Sequence, residues 1–130
     1  MIVLDACVLV AHLDTNDMHH DRSTRLLEAL VGHPKIINVL TRAEVLVAPA
    51  RAGRRRAVED ILDQLHIDTD LLPDEAAGQL AELRAHTGLR MPDCCVLLSA
   101  ERNWADLATF DARLALVATE RGVTVQAGSE

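Results

Sequence analysis

The sequence is poor in rings. Its 130 residues include one Phe, one Trp and no Tyr. The core must therefore be built from Leu, Val, Ile and Ala. A stacking platform for bases or sugars, which takes several aromatic side chains, is excluded. Lysine is nearly missing as well, since Lys35 is the sole lysine among 13 basic residues. Acids outnumber bases by 20 to 13, for a net charge of −7. A generic basic nucleic-acid binder does not have that balance, because non-specific affinity comes from neutralising phosphates. Cysteines are few: Cys7, Cys94 and Cys95, an odd number with two adjacent. They make no disulfide framework and suit a reducing, cytoplasmic setting. The opening MIVLDACVLVAHLD has no basic leader and Asp5 interrupts its apolar run, so it does not read as a signal peptide. No apolar stretch approaches a membrane span.

What is present is a soluble globular balance, 49% hydrophobic and 25% charged, at a length that fits one domain over residues 1–130. Short apolar runs alternate with longer helical ones. Strands are expected at 2–4, 35–38, 66–68, 106–109 and 123–125. Helices are expected at 7–12, from a cap at Asn16 or Asp17 to Gly32, at 41–48 with a stop near Pro49, and from the RAGRRR segment to Leu65. Further helices are expected from Pro73 to His86, from Pro92 onwards, and from Asp111 to Ala118. Strands alternating with helices imply an α/β fold, a short and mostly parallel sheet covered on both faces.

Sites in such folds form beyond the carboxyl ends of the strands. Four acids from four segments point to that edge. Asp5 follows the first strand, Glu44 lies in the first turn of the helix after the second, Asp93 opens a helix, and Asp111 follows a later strand. Each has a plain structural role open to it. Asp5 and Asp111 suit helix caps, Thr41 and Glu44 match a capping box, and Pro92-Asp93 suits a first turn. Together, four carboxylates on one rim would repel each other unless they held a cation. Oxygen donors without His or thiolate suit Mg²⁺ or Mn²⁺, which activate water and polarise a phosphoryl group. A metal would also let an acidic protein accept a phosphodiester.

The segments IVLDACVLVAHLD, LTRAEVLVAPAR, LRMPDCCVLLSA and LATFDARLA, in that order and spacing, resemble the PIN domain, most closely the VapC-type toxins of bacterial toxin–antitoxin pairs. The resemblance covers essentially the whole chain. It implies a three-layer PIN fold and an Mg²⁺- or Mn²⁺-dependent endoribonuclease, usually a homodimer, cutting RNAs of the tRNA or rRNA class. It also implies a cognate VapB-type antitoxin that wraps the toxin. Carried over, Asp5, Glu44, Asp93 and Asp111 form the acidic quartet, with Asp5 and Asp93 as direct metal ligands. Thr109 orients Asp111 or a metal-bound water, and Thr41 supports Glu44. The chain departs from the family at Cys7, where a hydroxyl residue is usual and a thiol is the poorer hydrogen-bond partner.

Other features compete for attention. The cysteines lack the paired spacing of a zinc site and read as small apolar residues. His19 and His20 read as a solvated helix start, or else as rim residues near substrate. Arg51, Arg54, Arg55 and Arg56 form the one dense basic run, read either as a solvated face or as a phosphate contact guiding RNA to the acids. A phosphoacceptor receiver domain needs a late Lys and is excluded, since the sole lysine is Lys35. A non-catalytic PIN-like module acting through protein or RNA binding stands as the alternative function.

Overall fold

The computed structural model describes residues 1–128. The chain runs β1 (Ile2–Leu4), α1 (Ala6–Leu13), α2 (His20–Ala29), β2 (Lys35–Asn38), α3 (Val39–Arg51), α4 (Arg55–Gln64) and β3 (Ile67–Asp70). It continues through α5 (Ala76–Thr87), α6 (Met91–Arg102), β4 (Asp106–Ala108), α7 (Ala112–Glu120) and β5 (Val125–Gln126). The five strands form one sheet in the order β3-β2-β1-β4-β5, and every pairing is parallel.

Because side chains alternate across a strand, each strand feeds two cores. Val3, Ile36 and Leu107 face one side, against Leu83 of α5, Val96 and Leu97 of α6 and Leu114 of α7. Ile2, Leu4, Ile37 and Ala108 face the other, against Val8 and Leu9 of α1, Leu26 and Leu27 of α2, Val45 of α3 and Leu62 of α4. The result is the three-layer arrangement expected. Helix α6 is buried from Cys94 through Ala100, which explains why its sequence is apolar all round rather than on one stripe.

Several boundaries differ from expectation. Helix α3 begins at Val39, not Thr41, because Asn38 at the end of β2 is the cap. Its Oδ1 accepts the Thr41 N–H at 2.9 Å. The Thr41–Glu44 capping box therefore does not form, and Glu44 lies in the second turn. The helix also runs through Pro49 to Arg51. Near a helix end, Pro costs a single N–H bond, and the last turn closes without it through Ala52 N–H to the Ala48 carbonyl at 3.2 Å. Asp17 accepts the His19 N–H at 2.8 Å, closing a turn before α2 instead of capping the helix. The third strand is Ile67–Asp70, longer than expected, and it lies at the sheet edge. The fifth is shifted to Val125–Gln126.

Candidate active site

From β1 the chain steps through β2 and β3 to one edge, then crosses back to β4 and β5 on the other side of β1. The switch point lies between β1 and β4. In open parallel sheets, ligands bind beyond the strand ends at that place. Asp5 leaves β1 there, and Thr109 and Asp111 leave β4 there.

Asp5 is buried, 8% exposed, and its carboxylate is tied at both oxygens. Oδ1 accepts the Ala6 N–H at 2.8 Å, which caps α1, and Oδ2 accepts the Thr109 hydroxyl at 2.8 Å. The Cys7 thiol also donates to Oδ2, at 3.3 Å. Thr109 Oγ1 in turn accepts the Asp111 N–H at 3.0 Å, and Asp111 Oδ1 accepts the Leu114 N–H at 2.8 Å to cap α7. Asp5 and Asp111 do serve as helix caps, and the same bonds lock the two turns together. The Cys7 sulfur accepts the Phe110 N–H at 3.5 Å, so the thiol bridges the same turns. Burial, then the charge of Asp5, pushes its pKa up to about 12, so Cys7 stays a neutral thiol. Cys94 and Cys95 are buried and free.

Glu44 and Asp93 reach this rim from α3 and α6. Glu44 is held above the usual carboxylate range first by burial, then by Asp5 and Asp93, with Arg90 opposing. Asp93 is raised first by burial, then by Asp5, with a smaller push from Asp111 and relief from Arg90. Glu44 and Asp93 thus feel the like charge of Asp5 and of each other, and Asp93 feels Asp111 as well. The Thr41 hydroxyl, buried and 1% exposed, has no hydrogen-bond partner and makes no bond to Glu44.

The basic run is only partly near this rim. Arg54 lines an open groove of about 410 Å³ with Glu44, over an apolar floor that includes Val10, Val45, Ala48 and Val58. Arg55 pairs with Glu59 at 2.9 Å along α4, and Arg51 and Arg56 are exposed. The histidines are not merely solvated. His20 Nδ1 lies 2.9 Å from the Ala11 carbonyl and its ring stacks on His12. His19 packs on Phe110, ring centroids 5.1 Å apart, and the Arg22 guanidinium lies 4.5 Å from the same ring's centroid. Phe110 stands between Thr109 and Asp111 in the chain, and its ring packs on the core shared by β1, α1 and α2. Arg90, three residues before Asp93, was not singled out above. Its Nε lies 3.7 Å from Asp93 Oδ2, and the i,i+3 spacing on a helix start was the signal for it.

Among the described residues, no three His, Cys, Asp or Glu side chains stand together as a ready-made cation cage. The donor set still fits a hard cation in kind. It is all carboxylate, with no imidazole.

Comparison with known proteins agrees with the topology. Residues 2–120 match the PIN domain family model, and the chain belongs to that family. No curated protein matches it in sequence. Among solved structures it is similar to a toxin–antitoxin complex from Klebsiella pneumoniae, with a TM-score of 0.74 and 20% identity over 88% of this chain and 90% of that one. It is also similar to VapC20 of Mycobacterium tuberculosis, a toxin that cleaves the sarcin–ricin loop, at 0.72 and 15% over 90% and 95%. VapBC2 of Rickettsia felis, bound to a promoter DNA fragment, matches at 0.72 and 16% over 99% and 100%. At these identities the likeness is one of fold. Among the described residues, no helix is long and apolar enough to cross a membrane.

Proposed function

We propose that this protein is the toxin of a VapBC-type toxin–antitoxin pair, a metal-dependent endoribonuclease acting on RNA of the tRNA or rRNA class. What supports the reading is electrostatic: Asp5, Glu44, Asp93 and Asp111 come from four separate segments, yet Asp5 acts on both Glu44 and Asp93, and Asp111 acts on Asp93. Three of them act directly on one another, Asp93 also feels Asp111, and Thr109 fixes the carboxylate of Asp5. An acidic rim that raises its own acids is unfavourable for stability, and a bound cation relieves it.

Asp5 and Asp93 would hold Mg²⁺ or Mn²⁺ directly, with Glu44 and Asp111 acting through water or a second ion. The metal supplies Lewis acidity and a more acidic bound water. The chain's own residues do the rest. Thr109 keeps Asp5 turned to the rim. Asp111, its backbone tied to that hydroxyl, is positioned to orient the attacking water. Water adds at phosphorus, the bond to the 3′-oxygen breaks, and 5′-phosphate and 3′-hydroxyl ends result. Arg54 contacts a backbone phosphate along the groove. The groove's apolar floor suits a segment of a cognate antitoxin, and a homodimer is expected.

The test is cleavage of separate tRNA and rRNA fractions by the purified chain, with Mn²⁺, with EDTA and with Asp93→Asn alongside. Discrete Mn²⁺-dependent cuts missing from the variant are expected. A folded protein that cuts neither fraction under any divalent metal would favour the non-catalytic PIN-like module.

A further inference from the structure

Arg90 is a cation in an unfavourable place. It is the N-cap of α6 and makes no side-chain cap bond. The positive end of the helix dipole disfavours a guanidinium there. Nothing in its packing explains it either, since its side chain is 78% exposed. Yet its backbone is not loose. The turn before it is anchored by the buried Leu89, whose N–H donates to Thr87 Oγ1 at 3.1 Å. Arg84 Nη1 donates to the carbonyls of Gly88 at 3.0 Å and Leu89 at 2.7 Å. Gly88 takes the left-handed conformation, φ 69°, that ends α5 and starts this turn. A fixed turn thus presents a long, mobile cation at the mouth of the acidic rim.

We infer that Arg90 is a switching positioning residue: it holds the Asp93 carboxylate while the rim lacks a cation, and turns to a substrate phosphate once a divalent cation takes that carboxylate. The inference rests on the reading of the rim as a cation site and adds a residue to it. The contact supports exchange. At 3.7 Å, on an exposed side chain and at i,i+3 spacing, the pair is a loose one that contributes little and is readily displaced. Glu44 lies within the same influence, because Arg90 eases its charge too. A guanidinium keeps its charge at any working pH and matches the paired oxygens of a phosphodiester. In the cation-free protein Arg90 offsets part of the rim's repulsion. With the cation bound, the same charge is surplus there and free for RNA.

The two halves of this role have opposite signs, which makes them separable from a plain loss of structure. Mn²⁺ alone, titrated calorimetrically into the full chain, should bind about threefold more tightly to Arg90→Ala than to wild type, since a competing charge is gone. Arg90→Lys should restore the wild-type value. A short fluorescein-labelled single-stranded RNA, bound in the presence of Ca²⁺, should bind about threefold or more weakly to Arg90→Ala, with a smaller salt dependence. Arg90→Lys should recover only part of this, because an ammonium cannot pair both oxygens. Unchanged Mn²⁺ affinity in Arg90→Ala, with wild type binding normally, overturns the competition. Unchanged RNA affinity overturns the phosphate contact. A wild-type chain that binds no Mn²⁺, while Asp93→Asn behaves identically, removes the cation site itself and the inference with it.

Discussion

The two sides of the acidic rim are built differently. On the β1–β4 side, Asp5 and Asp111 sit in a chain of hydrogen bonds that passes through Thr109 and ends in two helix caps. On the α3–α6 side, among the described residues, Glu44 accepts no hydrogen bond and Asp93 has only the loose contact with Arg90. Both are raised above the ordinary range by burial and by Asp5. One side is fixed by its own hydrogen bonds before any ligand arrives. The other is held under electrostatic load. A rim made this way combines a rigid reference point with groups whose charge is held at a cost.

Substitutions at the acids should separate the two sides most sharply. Asp5→Ala and Asp93→Asn should each lower RNA cleavage by roughly a hundredfold or more. Their stabilities should move in opposite directions. Asp5→Ala removes a cap and the acceptor for Thr109, and should lower stability by about 1–3 kcal/mol. A carboxyl raised in the folded state gives stability below its unfolded pKa and loses it as pH rises through the folded one. In EDTA at neutral pH, Asp93→Asn removes that load and should raise Tm by about 1–3 °C. Thermal melts with and without EDTA check both; if the two variants melt alike, the contrast between the sides is wrong.

Two threonines carry the comparison to a smaller scale. Thr109→Val breaks the link between the turns and leaves a buried carboxylate short of a partner, which should cost about 1–3 kcal/mol. Thr41→Val deletes a buried hydroxyl that has no partner, and should lie between neutral and about 1 kcal/mol more stable. Urea denaturation at one fixed pH gives both values. Beyond the rim, Arg54→Ala should weaken RNA binding about two- to threefold and reduce the salt slope by roughly one ion, without changing Mn²⁺ affinity.

The smallest effect should come from His12, away from the acids and bonded to Thr24 Oγ1 at 3.0 Å. Burial, then His20, lowers its pKa, and Glu28 opposes. The unfolded chain then takes the proton more readily than the folded one. The contribution is full above the ordinary imidazole range of ~6.5 and is lost as pH falls through the lower folded value. His12→Gln should flatten the Tm–pH profile in that window, and an unaltered profile would assign the slope elsewhere.

The parallel sheet was legible because its first two strands are buried on both faces and read as plain apolar runs, IVL and KII. Asp5, Asp93 and Asp111 were legible as positions because each stands at a strand end or helix start. Glu44 was placed a turn too early. Asn38 ends its strand as expected, and only the bond from the Thr41 N–H to its side chain shows that it also caps the helix. Pro49 was read as a stop, although a single lost bond near a helix end is easily absorbed. Arg90 carried a local signal in Asp93 three residues on, but its influence on Glu44 crosses between two helices and no spacing shows it. His19 and Phe110 are ninety-odd positions apart in the chain, and no periodicity relates them.

The bond from Thr109 to Asp5 joins residues 104 positions apart. During synthesis the hydroxyl that aims the first acid emerges 104 residues after it. A ribosome-bound fragment lacking β4 has the amino-terminal acids but neither Thr109 nor Asp111. The rim therefore takes shape only once β4 has been made: an amino-terminal fragment that stops before it carries Asp5 with no hydroxyl to hold its carboxylate.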